Sequence, residues 1–142
     1  MNLEELQSLA EKDLKIDDLE LGDESLKTAS LHQKYLNIYN TFRQLKLMSE
    51  GSYRVLYRKK WEYYSGKSEP QVYRDNPFDH KILKQDLPIY LESDKELIDA
   101  KAKVEYYGWC IDSCERILKQ IQSRGWDIKN AIEWRKFVDG AV

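Results

Sequence analysis

The sequence feature that most restricts the fold is a long apolar repeat between residues 97 and 121. Its members alternate at intervals of three and four residues over more than three heptads, and they are Leu97, Ala100, Val104, Tyr107, Ile111, Cys114, Leu118 and Ile121. Residues at this spacing share one face of an α-helix, so the repeat predicts a long helix with a single apolar seam. Ser93 or Asp94 is a suitable N-cap, and Gly125 stands where a glycine often follows the last helical turn.

A second seam with the same spacing lies earlier in the chain and comprises Leu31, Tyr35, Ile38, Phe42 and Leu45, with Leu56 and Tyr63 after an interruption. It predicts a helix over about residues 24–64, with Asp23 as its N-cap. Gly51, which costs about 1 kcal/mol in a helix relative to alanine, favours a bend there. Two such seams can bury one another, and no segment alternates as a strand would. We therefore predict an all-α fold, an elongated protomer built on a long helical hairpin.

We predict a single domain, residues 1–142, with three parts. Residues 1–66 contain a short acidic amphipathic helix at 2–14 and the long helix that follows it. Residues 67–93 form an irregular connector that holds all three prolines, with one helical turn near 79–86. Residues 94–142 form a helical C-terminal region whose last part, from Asp127 to near Gly140, is a separate short helix.

This short terminal helix is predicted to mediate assembly. It carries more apolar residues than one stripe accommodates, namely Ile128, Ala131, Ile132, Trp134, Phe137 and Val138. One face can pack on its own protomer, and the apolar surface that remains is typical of self-association. Packing of the whole set within one chain is the alternative.

Several classes of function are disfavoured by the sequence. No apolar run approaches the roughly 20 residues of a membrane span, and the acidic amino terminus lacks the features of a signal peptide, so we expect an intracellular protein without membrane association. Neither a phosphate-binding glycine loop nor a nucleophile paired with histidine is recognisable, so we predict no catalytic residues, no cofactor and no metal. Cys110 and Cys114 are expected to be reduced and packed.

Charge is distributed unevenly along the chain, although its formal net charge is only −2. Residues 43–67 carry seven basic and two acidic side chains, and within them the stretch VLYRKKWEYYSGK interleaves cations with aromatic rings. Cations neutralise phosphates and rings stack on bases, a combination typical of single-stranded nucleic-acid binding. The predicted DNA-binding residues are Arg54, Tyr57, Arg58, Lys59, Lys60 and Lys67. The alternative is that the cations form a solvated face while Tyr57 and Trp61 complete a core.

The chain resembles the UvsY-like recombination mediators of T-even-type bacteriophages from end to end. The matching residues include LEELQ near the start, Tyr63-Tyr64-Ser65-Gly66, and Ser123-Arg124-Gly125. The family's DNA-binding motif, Leu-Lys-Ala-Arg-Leu-Asp-Tyr-Tyr-Ser-Gly, places its two basic positions on Arg58 and Lys60. This sequence departs from the motif at Tyr57, Lys59 and Trp61, where the motif has Leu, Ala and Leu.

The resemblance implies a non-enzymatic mediator that binds single-stranded DNA as a ring-shaped homo-oligomer, a heptamer in the family, assembled through its C-terminal part. It implies two protein partners, a phage RecA-like recombinase and a phage single-strand binding protein, and the loading of the first onto strand covered by the second. Such a protein serves homologous recombination, repair and recombination-dependent replication in the cytoplasm of the infected bacterial host. The alternative is a coiled-coil scaffold or phage assembly protein without DNA binding.

Overall fold

The structure, a computed structural model, describes residues 1–140, and their secondary structure is helical without strands. Five α-helices follow one another: α1 (Leu3–Asp13), α2 (Leu21–Tyr64), α3 (Pro70–Asp75), α4 (Leu87–Glu92) and α5 (Lys95–Val138), with a 3-10 turn at Lys84–Asp86. The predicted all-α fold with a pair of long helices is confirmed. No helix within the described residues is long and apolar enough to cross a membrane.

The chain divides into two compact units, and each contains part of both long helices. Unit 1 comprises residues 1–43 together with the chain from Gly108 onward, and unit 2 comprises residues 44–107. The predicted single domain with three parts stays a prediction.

In unit 1, the core is built from α1 and from the seams of the two long helices. The buried residues are Leu6, Ala10, Leu21, Tyr35, Phe42, Cys110, Cys114, Ile117, Ile121 and Ile128. On α5 the buried series includes Cys110 and Ile117, whereas the predicted seam residues Ile111 and Leu118 are only half-buried. Neighbouring positions both lie on the apolar side of a helix with 3.6 residues per turn, and packing decides which is deeper. Both cysteines are buried thiols as predicted, and burial raises the pKa of Cys114 to about 11.

Hydrogen bonds and an ion pair to Asp13 connect helix α1 to helix α2. The hydroxyl of Tyr35, a fully buried residue, donates to Asp13 Oδ2 at 2.8 Å, and Lys34 Nζ lies 2.6 Å from the same oxygen. Burial opposes the charged carboxylate, but these hydrogen bonds outweigh it and hold the pKa of Asp13 below its usual value. The helix predicted at residues 2–14 is confirmed as α1. It is attached to α2 by these polar contacts, and its Leu6 is buried in the core of unit 1.

Helix α2 begins earlier than predicted. It starts at Leu21, so Gly22 and Asp23 lie inside its first turn and Asp23 is not the N-cap. The predicted start was wrong because the seam of α2 extends one heptad further towards the amino terminus, to Glu24. Glu24 is buried but charged, so the spacing of apolar residues does not reveal this extension. Gly51 does not interrupt the helix, which continues to Tyr64.

A buried ion pair links α2 to α5 within unit 1. The Arg124 guanidinium contacts the Glu24 carboxylate through Nη2, while Nη1 donates to the Glu24 carbonyl oxygen at 2.6 Å and to Thr28 Oγ1 at 2.8 Å. Arg124 and Glu24 are both buried, although Lys27 also reaches the Glu24 carboxylate from the solvent side, at 2.9 Å. The pair occupies seam positions, so it sets the register of α2 against α5.

The predicted break in α5 at Gly125 is wrong. The helix runs without interruption from Lys95 to Val138, and residues 127–138 are its last three turns rather than a separate helix. Gly125 has no positive φ, unlike Gly66 and Gly140. A glycine costs only about 1 kcal/mol inside a helix relative to alanine. Arg124 and Ile128, on either side of Gly125, are both buried and hold this turn against the rest of unit 1.

We expect Arg124→Leu to lower the Tm by about 5–10 °C, because it removes the buried one of the two cations that contact the Glu24 carboxylate and leaves Lys27 alone on the solvent side. The measurement is thermal unfolding followed by circular dichroism. The double variant Glu24→Leu with Arg124→Leu should recover most of the loss, since it replaces the pair by apolar groups. A single variant as stable as wild type would show that the pair contributes nothing to the stability of unit 1.

The connector, residues 67–93, is more regular than predicted. It contains α3, α4 and the 3-10 turn, of which only the last falls within the turn predicted near residues 79–86. Pro70 is the first residue of α3 and Pro88 the second of α4. Proline is well tolerated in the first turn because its missing amide would have no helical partner there. Pro70 and Pro88 thus stand in the first turns of helices, whereas Pro77 lies between them outside any helix. The buried core of unit 2, Leu87, Leu91 and Leu97, forms where α4 meets the start of α5.

Candidate nucleic-acid interface

The exposed surface of α2 in unit 2 carries four of the six predicted DNA-binding residues. Leu56 and Tyr64 pack against the Leu87, Leu91 and Leu97 core and thereby turn the opposite side of the helix outward. The exposed side chains of this segment named here the basic face are Arg54, Tyr57, Arg58 and Lys59. With 3.6 residues per turn, Arg54 and Arg58 point away from the core, while Tyr57 and Lys59 lie on its two flanks, so the basic face is a broad open surface rather than one stripe.

Contacts within the basic face leave its cations accessible. Arg58 Nε lies 3.8 Å from Glu62 Oε1, one turn further along the helix, and the two side chains are 69% and 41% exposed. Such surface pairs contribute little and yield readily to another anion. The ring of Tyr57 lies 6.1 Å from that of Tyr53 and remains 42% exposed. Tyr53 thus covers part of the Tyr57 ring, and the exposed part of that ring is accessible for stacking on a base.

Lys67 is brought to the end of this face by the turn that closes α2. Gly66 has a φ of 76°, and the Lys67 amide donates to the Glu62 carbonyl oxygen at 2.8 Å. The Gly66 amide donates to the Tyr63 carbonyl oxygen at 3.3 Å, which completes a Schellman motif. The chain turns back, and Lys67 Nζ lies 4.5 Å from the centroid of the Trp61 ring. This cation–π contact places Lys67 and Trp61 together beside the basic face.

Lys60 is placed differently from the other predicted cations. Its Nζ lies 3.3 Å from Asp94 Oδ2 and 3.2 Å from Glu96 Oε1, and its side chain is only 18% exposed. Burial opposes the ammonium form, but the hydrogen bonds to Glu96 and Asp94 outweigh it and raise the pKa of Lys60. Lys60 is therefore charged and engaged with two carboxylates of its own chain.

Asp94 connects the basic segment to the start of α5. Its Oδ1 accepts from the Leu97 amide at 3.0 Å, which confirms Asp94 as the N-cap of that helix. Its Oδ2 accepts from the Tyr64 hydroxyl at 2.6 Å. Although burial raises the pKa of Asp94, the hydrogen bonds from Tyr64, the Leu97 amide and Lys60 lower it further, below the usual value. Sequence spacing could suggest the cap but not the other partners.

The two adjacent tyrosines of the YYSG stretch are structural. Tyr64 packs in the unit 2 core and against Phe78. Tyr63 stacks on Tyr73 with 5.5 Å between ring centroids, and the Tyr73 hydroxyl donates to the Tyr63 carbonyl oxygen at 2.8 Å. These rings hold the end of α2 against the connector.

The predicted assembly residues separate into two groups within unit 1. Ile128 is buried in its own chain and Ala131 and Ile132 are half-buried, so these residues complete the fold. The remaining residues are exposed, and so is Trp126, which lies between the two helices predicted from the sequence. They are named here the terminal apolar surface: Trp126, Trp134, Phe137 and Val138.

The terminal apolar surface contains large rings in contact with solvent. Trp134 is 66% exposed and Phe137 is 74% exposed, and their rings stack with centroids 5.7 Å apart. Trp126 was missed because Gly125 was interpreted as a helix end. Its position eight to twelve residues before the other members, on one continuous helix, is the signal that could have revealed it. Within residues 1–140, no three His, Cys, Asp or Glu side chains are placed to hold a metal ion.

The chain is similar to proteins of known sequence and structure. A family profile described as "Recombination, repair and ssDNA binding protein UvsY" matches residues 9–141. The recombination protein uvsY of Enterobacteria phage T4 is 29% identical over 140 residues, which cover 99% of each protein. Two crystal structures of the bacteriophage T4 recombination mediator protein UvsY align with TM-scores of 0.84 and 0.83, at 29% and 28% identity. They cover 98% and 96% of this chain, and 98% of each matched chain is covered.

Proposed function

The chain belongs to the UvsY family, and we propose that it is a recombination mediator that binds single-stranded DNA through the basic face. Its role lies in recombination and repair, as the family description states. The proposed activity is binding and requires no catalysis. In this proposal, the protein assembles into a ring, a heptamer by resemblance, and helps load a RecA-like recombinase onto strand covered by single-strand binding protein. It acts in the cytoplasm of the infected bacterial host, where it also supports recombination-dependent replication.

The observation that carries the proposal is the composition of the basic face. Arg54, Arg58 and Lys59 project into solvent beside Tyr57, in a chain whose overall charge is negative. Three exposed cations within about two turns of one helix attract a phosphate backbone irrespective of base sequence, because the attraction depends on charge alone. A half-exposed ring adds stacking with any base. Recognition of this kind suits a mediator that must act on arbitrary sequences.

The terminal apolar surface supports assembly. Four large apolar side chains exposed within about four turns of one helix form a patch that a monomer would leave in water. Burying it between protomers would multiply the basic faces available to one strand. Linked sites bind more tightly than single ones without any new contact, because the later binding events are intramolecular.

In this proposal, the loading of recombinase depends on holding one DNA strand at several points. A strand that follows several basic faces is constrained in path, and single-strand binding protein would hold such a strand less well. The released segment would then offer recombinase a place to begin its filament. The contacts with both protein partners belong to this proposal, as do the subunit number and the ring.

We expect the wild-type protein to bind fluorescent single-stranded oligonucleotides of unrelated sequence with similar affinity. The measurement is fluorescence anisotropy at two salt concentrations. Affinity should fall at the higher salt, with a slope of log K against log salt of about −0.7 for each phosphate contact. A coiled-coil scaffold without DNA binding would give no anisotropy change at either concentration, and that result would exclude the proposal.

A further inference from the structure

A pocket in unit 2 lies between the end of α2 and the segment that leads into α4. It has a volume of about 310 Å³ and is bordered by the ammonium groups of Lys67 and Lys84, while no carboxylate of the described residues lines it. We name it the lysine pocket. The rest of its wall is mainly apolar and is formed by Trp61, Tyr64, Ile82, Leu83 and Leu87.

The lysine pocket is open to solvent and positively charged. Leu83, on its wall, is 63% exposed. The neighbouring acidic residues do not reverse this charge: Glu62 and Glu69 line another groove, and the half-buried Asp86 is matched by the exposed Lys81. A ligand that combines negative charge with an apolar group therefore suits the pocket.

The chain itself carries such a group where it enters α2. Asp17, Asp18, Glu20 and Asp23 are exposed there, and Leu19 among them is 78% exposed. The Leu19 amide donates to Asp17 Oδ1 at 3.0 Å, and the Glu20 amide donates to the Asp17 carbonyl oxygen at 3.1 Å. These bonds fix the turn, so Leu19 is already held in its exposed position before a partner binds. Residues 17–23 are named here the acidic edge.

We propose that the acidic edge of one copy of this chain docks on the lysine pocket of a second copy, with Leu19 inserted into the pocket. The exposure of Leu19 shows that its own chain does not bury it, so its partner is another chain. Asp18 and Glu20 flank Leu19 in the sequence, and Lys67 and Lys84 border the pocket. Opposite charges thus surround an apolar contact, which favours this pairing over a contact between like surfaces.

The charge of the acidic edge persists when its neighbours are counted. Lys27 lies 2.9 Å from Glu24, which leaves only Lys15 against four exposed carboxylates. Exposed ion pairs contribute little and are screened by salt, so burial of Leu19 provides most of the affinity. A contact of this size is weak between free chains. It is effective between protomers that the terminal apolar surface already holds together.

The test is crosslinking between cysteines that leave both surfaces intact. Gly22→Cys lies within the acidic edge and Gln85→Cys follows Lys84; both positions are exposed, whereas the native thiols are buried. Two chains of different tag length, each with one of these substitutions, are co-expressed and treated with a short bismaleimide. We expect a mixed dimer on a denaturing gel, which only a contact between chains can produce.

Further substitutions in this pair of chains identify the contact. Leu19→Ser should lower the yield of mixed dimer about tenfold, because loss of a buried leucine weakens a contact by at least that factor. Lys84→Gln should lower it about twofold to fivefold, and added salt should lower it as well. Leu47→Ser is the matched control, since it removes another exposed leucine and should leave the yield unchanged.

Three results would overturn the inference. They are the absence of a mixed dimer, which would leave the pocket to an external acidic partner, a yield that Leu19→Ser does not change, and an equal loss with Leu47→Ser. The substituted side chains are all exposed, and circular dichroism should show unchanged folding. The reaction contains no DNA, so it can fail while the proposed function stands, and a failure to bind DNA leaves the crosslink unaffected.

Discussion

A double variant with Trp134→Glu and Phe137→Glu is expected to be a folded monomer that binds single-stranded DNA about 100-fold to 10,000-fold more weakly than wild type. Both side chains are exposed in the single chain, so acidic residues are accommodated there without disturbing the fold. Between protomers they would bring charges into an apolar contact, which is strongly unfavourable. The basic face would be intact, and the lost affinity would be the avidity of linked copies. Analytical ultracentrifugation measures the assembly and anisotropy measures the binding.

The matched control adds the same two charges earlier on α5. Gln120→Glu with Gln122→Glu changes two exposed positions and should keep the oligomer and its DNA affinity. Truncation after Arg124 is a poorer test, because it also removes Ile128, which is buried within unit 1. A sedimentation coefficient for the Trp134 and Phe137 variant equal to that of wild type would place the interface on another surface.

The triple variant Arg54→Ala, Arg58→Ala and Lys59→Ala is expected to lose most of its affinity for single-stranded DNA. Each protomer loses up to three phosphate contacts, and the slope of log K against log salt should become shallower by about 0.7 for each. In an oligomer, the loss repeats in every protomer that touches the strand, so the total decrease reaches several orders of magnitude at low salt. All three side chains are exposed, and circular dichroism should show unchanged folding.

The control for this experiment removes three cations that lie outside the basic face. Lys101→Ala, Lys103→Ala and Lys119→Ala alter exposed residues of α5 and change the net charge equally. Affinity and slope should stay close to wild type. An equal loss in both triple variants would mean that only net charge matters, and the basic face would then not be the binding site. Lys60 is left out because its removal would also leave Asp94 and Glu96 without their shared cation.

Several elements were predictable because they depend on local periodicity. The seams of α2 and α5 and the short helix α1 follow from apolar spacing, and the end of α2 follows from Gly66. The outward placement of Arg54 and Arg58 follows from the same period, since Leu56 lies on the opposite side of the helix. Lys59 lies one turn from Leu56, and its exposure was decided by packing. The family resemblance was recognisable from the order and spacing of the matching residues.

Other features were not predictable because they depend on partners far away in the chain. Arg124 contacts Glu24, which lies 100 residues earlier in the chain. This contact stabilises both the turn of α5 at Gly125 and the first turns of α2, which begins at Leu21. Continuity of α5 in turn buries Ile128 and exposes Trp126, so the terminal apolar surface differs in membership from the residues predicted for assembly.

By itself, the sequence determined which sides of the two long helices are apolar and where cations and rings are concentrated, because helical period and composition are local properties of the chain. Only the tertiary structure decided which of those cations is available. Lys59 and Lys60 are adjacent and chemically alike, yet one faces solvent and the other is held by Asp94 and Glu96. The reason is physical: ion pairing depends on distances between elements, and these distances are set when the Leu87, Leu91 and Leu97 core packs against α2.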